Sequence, residues 1–320
     1  MKFLKDIRGI IILLFTAFLF IFPLISNDFY LINILSVSFI YMVYAGSWDI
    51  LSGFTGKENM GHAAFIAIGG YMLGFISSSF AIKPWLSIPL AAIFSILFGI
   101  IIGISTLRLK GPYFALASLA IASIFEKLTI SYSEVTGGEE GIFGIPFLTE
   151  GPMGSYYFML IFAVISIGLL FYLGKSNFGL ILKSIKSDEE AAKALGIETT
   201  KYKVTAFALS AMFAGMAGTV IGHFYGYIGP DIVYPLSLNT LIMSVVGGIG
   251  GIIPAALGGF FISLLTELLR GFGEWNQIIY TVILMLSVLF LPKGIFVSIG
   301  NLIKRKKSIK PVIEKSGDKN

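Results

Sequence analysis

The chain has no cysteine and only two histidines, His62 and His223, in 320 residues. Disulfides and thiolate metal sites are therefore excluded, and a multi-histidine metal centre cannot be built. Charge is scarce too. Asp, Glu, Lys and Arg make up 13% of the chain, against about one-quarter in a soluble globular protein. So little polar surface cannot cover a water-soluble domain. No G-x-x-x-x-G-K-[ST] phosphate loop occurs, so the chain is not itself a nucleotide-driven motor. No polar stretch is long enough for a soluble catalytic domain. The formal net charge of +5 lies in short segments beside apolar runs, which argues against a nucleic-acid partner.

What the chain has instead is apolar length: 56% of its residues are hydrophobic, with 29 Phe and 37 Gly. A helix that crosses a bilayer needs ~20 mostly apolar residues. By that measure the candidate spans are 9–26, 31–52, 61–80, 86–107, 112–131, 156–174, 203–223, 238–253, 255–270 and 277–298. The expected fold is an all-α polytopic membrane bundle of about ten spans. Residues 1–303 are expected to form one transmembrane domain and 304–320 a basic, disordered tail. The eighth and ninth segments are short and divided by Gly247-Gly-Ile-Gly-Gly251 and Pro254, which allows either two spans or a re-entrant hairpin. Lys2, Lys5 and Arg8 precede the first apolar run, but no small-x-small site follows it, so it reads as an uncleaved helix. With both termini cytoplasmic, all of the 23 basic residues except Lys83, Lys127 and Arg270 fall on the inner side, as the positive-inside rule asks. The loop 132–155 falls outside and is purely acidic, with Glu134, Glu139, Glu140 and Glu150.

Three polar features interrupt the apolar pattern. The first is a charged island, 175–202. Asp188, Glu189 and Glu190 suit a helix N-terminus, and Ser187 is placed to cap it. Ala191, Ala192, Ala194 and Leu195 offer a small-residue surface that Gly196 closes. The island reads either as a docking element for a soluble partner or as an ordinary surface helix. The second feature is Gly53-Phe-Thr-Gly-Lys-Glu-Asn-Met-Gly-His-Ala-Ala-Phe65. It is either a glycine turn with His62 bonded to backbone, or a gate on a translocation path built from Gly53, Gly56, Lys57, Asn59, Gly61, His62 and Phe65. The third is Thr136-Gly-Gly-Glu-Glu-Gly141, with Gly137, Gly138, Glu139, Glu140 and Gly141. It is either a flexible connector or a contact surface for an external protein. Isolated charges add two points: Asp49 inside the second span, and Glu267 with Arg270 at pairing distance along one helix. Small residues at Gly99 and Gly103, and at Ala211, Gly215 and Gly218, mark close helix packing.

Glu190-Ala-Ala-x-x-x-Gly196 resembles the EAA loop of ABC-importer permeases. The wider stretches 188–218, Leu107–Ala117, Thr136–Ile142, Val245–Gly251 and Leu289–Gly294 resemble the branched-chain amino acid permease family, in its LivM-like branch. The likeness runs from about residue 30 to 298. It departs at Lys57, where the family has Gln, and at Asn59, where it has Ser. The resemblance implies a non-enzymatic transport subunit in the cytoplasmic membrane. Its implied partners are two ATP-binding subunits docked on the 188–196 island, a second permease that is a distinct homologue, and an external substrate-binding protein. ATP-Mg would be held by the partner subunits, and this chain would bind no cofactor or metal. The competing expectation is an ion-coupled secondary transporter that uses Asp49.

Overall fold

The structure, a computed structural model, describes residues 7–26, 28–80, 83–109, 111–230, 235–273, 275–291 and 294–298. The basic tail 304–320 and the Lys2 and Lys5 cluster lie outside these residues. All ten apolar segments contain a helix. They are α1 (Ile7–Ile25), α2 (Phe29–Thr55), α3 (Ala63–Phe80), α4 (Pro84–Thr106), α5 (Pro112–Ser131), α7 (Gly151–Lys175), α10 (Thr199–Tyr225), α11 (Pro235–Gly247), α12 (Ile252–Leu269) and α13 (Trp275–Phe290). Three short helices complete the set: α6 (Ser133–Thr136), α8 (Asn177–Ser187) and α9 (Glu189–Ala194). Among the described residues, six helices (α2, α4, α5, α7, α10 and α12) are long and apolar enough to cross a bilayer. The 13 residues of α11 reach only ~20 Å at 1.5 Å per residue, short of the ~30 Å hydrocarbon thickness.

Sequence sets the ends of these helices. Asp28 is extended, and its carboxylate accepts the Tyr30 and Leu31 amides, which starts α2. Gly56, at φ 72°, closes α2 in the left-handed region. Proline opens α4 and places no amide where the first turn would leave one unpaired. The connections collect at two opposite ends. Lys186 reaches Gly53, and Lys57 reaches Leu109, at the island end. At the other end two residues of strand β1 (Ile142–Phe143) pair antiparallel with β2 (Tyr227–Ile228).

The helices around α2 and α10 repeat one arrangement. α10 packs on α3 and α4, and α2 packs on α11 and α12. Both central helices have 27 residues and end on a left-handed glycine, Gly56 or Gly226. Each is followed by non-helical chain and a shorter helix. They run in opposite directions, because α10 begins at the island end, where α2 finishes. The arrangement is an inverted repeat of α2–α5 and α10–α13.

Small residues bring the helices together at the centre. A Cβ on Gly69 would meet the Gly215 carbonyl, and one on Gly218 would meet the Ile66 carbonyl. The Thr219 hydroxyl donates to the Gly69 carbonyl at 2.9 Å across the same contact. The predicted small-residue faces therefore act inside the chain: Gly99 abuts Ala211, and Gly103 abuts Phe207. Lipid is as apolar as a protein core, so close van der Waals contact is what holds such helices. Gly218→Val is expected to separate α3 from α10 and cost about 1–3 kcal/mol, the usual price of overpacking. A lower midpoint for thermal unfolding in detergent would register it, while Gly168→Val, where nothing lies within 4 Å of the added carbon, serves as the control.

Candidate functional site

The island is built in two steps. In α8, Gly179, Leu182 and Ile185 recur at helical spacing and are buried, so one face lies against the bundle. Asp188 then breaks the helix with φ −157° and ψ 108°. Its carboxylate accepts the Glu190 and Ala191 amides, both at 3.0 Å, and starts α9. Asp188 is thus the cap in place of the expected Ser187, which is still helical and donates to the Lys183 carbonyl at 3.1 Å. A cap must be extended for its side chain to reach back. Gly196 ends the element at φ 81°, as expected.

The alanines do not form one surface. Successive residues of a helix are about 100° apart, so Ala192 turns inward at 3% exposure while Ala191 and Ala194 stay out. Among the described residues, the most exposed large apolar side chain is Leu195, at 82%. A bulky charge at Ala192 would therefore push α9 off the bundle, and Leu195 is the apolar position of this element that faces out.

Three contacts fasten the island to the membrane helices. The Lys186 ammonium donates to the Gly53 carbonyl at 2.8 Å. The Lys183 ammonium lies 4.4 Å from the centre of the Phe54 ring. The Lys203 ammonium, on a side chain only 5% exposed, pairs with Glu189 at 2.6 Å, and Thr199 adds a bond to the same oxygen. Burial alone would raise the Glu189 pKa, but the Lys203 hydrogen bond and charge outweigh it and hold the carboxyl below the usual glutamate range. The first two contacts end on α2 and the third on α10.

The glycine segment folds back into the bundle instead of resting at its surface. From Gly56 the chain climbs alongside α2. The Asn59 amide donates to the Ser52 hydroxyl at 3.1 Å, and the Asn59 carbonyl accepts the Trp48 indole at 2.7 Å. His62 Nε2 then meets the Ser47 hydroxyl at 2.9 Å, and the Ser47 carbonyl accepts from Ser210 of α10 at 2.6 Å. His62 Nε2 is thus bonded to a hydroxyl. Non-helical backbone at this depth must be buried in protein, and Asn59, Gly61, His62 and Phe65 are all buried. A Cβ on Gly61 would strike the Ser118 carbonyl, so glycine is required there. The two departures from the family pattern have local work. Lys57 donates to the Leu109 carbonyl at 2.7 Å, and the Asn59 side chain accepts the Gly61 amide at 2.9 Å.

Asp49 lies two turns from the end of α2 and is fully buried. Its Oδ1 accepts the Gly250 amide at 2.7 Å, which ties the Gly248–Gly251 loop to α2. Gly53 is needed beside it, because a Cβ there would overlap the Asp49 carboxylate. The 238–270 region is accordingly a hairpin of α11 and α12 packed on α2, with Gly247 against Gly258.

At the other end the 136–141 stretch is an ordered turn rather than a loose connector. The Thr136 hydroxyl donates to the Tyr132 carbonyl at 2.8 Å, and Gly137, Gly138 and Gly141 are all left-handed. Gly141 lies against the Ile228 carbonyl of β2, and Glu139 and Glu140 point to the exterior. Near this end lies a cavity of 1210 Å³ between α2, α4, α7, α10, α11 and α12, with Glu267 and Arg270 in its wall. The sequence reading missed it. The lining comes from segments spread over the whole chain, and only the Glu267–Arg270 spacing hinted at it.

The island's attachment has a pH signature. Glu189 has a depressed pKa when folded, so its contribution is present above the ordinary carboxylate range and is lost as pH falls through the folded pKa. Amide exchange in 189–203 is expected to be slow at pH 7 and, after correction for intrinsic rates, much faster below the glutamate range. Lys203→Met should give the fast pattern already at pH 7. Equal protection in that variant would remove the ion pair from this role.

Residues 30–291 match the family described as "Branched-chain amino acid transport system / permease component". The chain is 26% identical to the high-affinity branched-chain amino acid transport system permease protein LivM of Salmonella typhimurium, over 82% of this chain and 69% of that one. It is 27% identical to BraD of Pseudomonas aeruginosa, covering 83% and 94% of the two chains. It is also 27% identical to a probable LivH permease of Methanocaldococcus jannaschii, covering 75% and 83%. These relatives are transport permeases and not enzymes, and the apolar helices fit a multi-pass protein of the cell membrane. With its family match spanning most of the sequence, the chain belongs to the branched-chain amino acid transport permease family.

Proposed function

We propose that this chain is the membrane-spanning subunit of an ATP-driven importer for branched-chain or related amino acids. The observation that carries the reading is the island: a rigid polar element with an exposed Leu195, bonded on one side to α2 and on the other to α10. A soluble ATP-binding subunit that gripped Leu195 would move both central helices of the inverted repeat at once. The island end is then cytoplasmic, in line with the basic residues that collect there. The acidic turn at Glu139 and Glu140 faces outward, where an external binding protein would deliver substrate and charge would steer its approach. Two ATP-binding subunits and a second permease complete the assembly.

In this mechanism α2 transmits motion through Asp49. The α8 bond at Gly53 lies one turn from the Asp49 bond to Gly250, so a displacement of the island reaches the α11–α12 hairpin directly. The glycine segment 53–65 joins the same region to α3 and acts as a gate element. Asp49 Oδ1 is committed to the Gly250 amide, while its buried Oδ2 has no hydrogen-bond partner among the described residues.

Purification of the tagged chain from its native membrane in mild detergent is expected to bring along a P-loop ATPase and a second permease. Leu195→Asp should reduce ATPase recovery by about tenfold or more, the scale of one anchor residue at an interface, without changing thermal stability. Full recovery in that variant would count against the island as docking site. Uptake that followed an ion gradient and ignored ATP would sink the importer reading.

A further inference from the structure

The 1210 Å³ cavity is larger than the ~300–1,000 Å³ of a typical closed small-molecule site, so it has room for a small ligand together with water. Its wall pairs a fixed negative charge with an adjacent, more open positive one. Glu267 Oε1 accepts both the Tyr30 hydroxyl at 2.9 Å and Arg270 Nη1 at 3.1 Å. Both bonds fall on one oxygen, and among the described residues Oε2 has no hydrogen-bond partner. The guanidinium spends one nitrogen on Glu267 and keeps its remaining donors. The Glu267 side chain is 24% exposed and that of Arg270 75%. A pair this open adds little to stability, yet ionisable groups in the membrane region of a transporter mark solute pathways. Tyr41, Trp85 and Met243 line the same cavity with apolar surface.

We infer that Glu267 and Arg270 form a receiving subsite for a free α-amino acid with an apolar side chain. Its ammonium meets Glu267, its carboxylate meets Arg270, and its side chain lies among Tyr41, Trp85 and Met243. The inference rests on the transport reading above for the identity of the ligand. A phospholipid headgroup that carries an ammonium and a phosphate offers related chemistry, and the test separates the two sources.

The full chain, purified in lipid-free detergent, is titrated with leucine while tryptophan emission is followed, with Trp85→Phe to identify the reporter. The expected result is a saturable response to leucine. Leucinol, which lacks the carboxylate, and 4-methylpentanoate, which lacks the ammonium, should each bind about tenfold or more weakly. Arg270→Gln should erase the preference for leucine over leucinol. Glu267→Gln should erase the preference over 4-methylpentanoate. A general loss of structure would weaken all ligands alike and would not yield this crossed pattern. A response to glycerophosphoethanolamine alone would place lipid in the cavity and overturn the assignment, as would no saturable response to leucine. ATP-driven leucine uptake by the assembled complex tests the transport reading separately. Normal uptake with an unchanged half-saturation in both variants would remove the subsite and leave that reading standing. Saturable leucine binding without uptake by the wild-type complex would do the reverse.

Discussion

Backbone N–H and C=O groups that leave a helix inside a membrane protein have no water to turn to. That constraint governs the join between α2 and α3. The non-helical join 56–62 turns into the bundle there from Asn59 to His62. Trp48, Ser52, Asn59 and Ser118 satisfy backbone groups of Asn59, Met60 and Gly61. Glycine at 61 lets α5 approach close enough for the Ser118 hydroxyl to reach the Met60 amide. The same requirement shapes the Gly248–Gly251 loop, whose Gly250 amide is answered by the buried Asp49. The polar residues of this apolar chain are therefore concentrated where helices break.

Those breaks lie next to the charged island. Lys186 is bonded to Gly53, a single turn from Asp49, and Glu189 is bonded to Lys203 at the start of α10. An exposed six-residue helix would have little stability by itself, since isolated short helices are marginal in water. Here the Asp188 cap and the ion pair to Lys203 hold it in place. The island is thereby joined to two oppositely directed central helices, and the inverted repeat gives each a corresponding packed pair, α11 and α12 on α2 and α3 and α4 on α10.

Much of the architecture was legible beforehand because membrane helices advertise themselves by length and hydropathy. All ten apolar segments contain helices, and α5 was bounded at Pro112 and Ser131 as expected. The family was legible from ordered motifs along the chain. What failed were statements about faces and depth. Ser187 and Asp188 are both good capping residues in sequence, and only backbone torsion distinguishes them. Ala191, Ala192 and Ala194 are chemically alike, and only the docking of α9 decides which one is buried. The third span was placed from residue 61, yet α3 begins inside the bundle because the preceding segment climbs along α2.

The sequence by itself determined that this is a multi-helix membrane protein without disulfides or thiolate sites, that its charges gather in a few connections, and that one charged island stands apart. Those properties follow from composition and from periodicity along a single helix. The tertiary structure alone decided that Asp49 ties down a loop two hundred residues away, that Leu195 stands exposed while Ala192 is buried, and that Glu267 and Arg270 share a cavity wall with Tyr30. The physical reason is that each of these depends on which helices pack together. Helix packing in lipid is set by small-residue contacts between distant segments, and no local pattern encodes it.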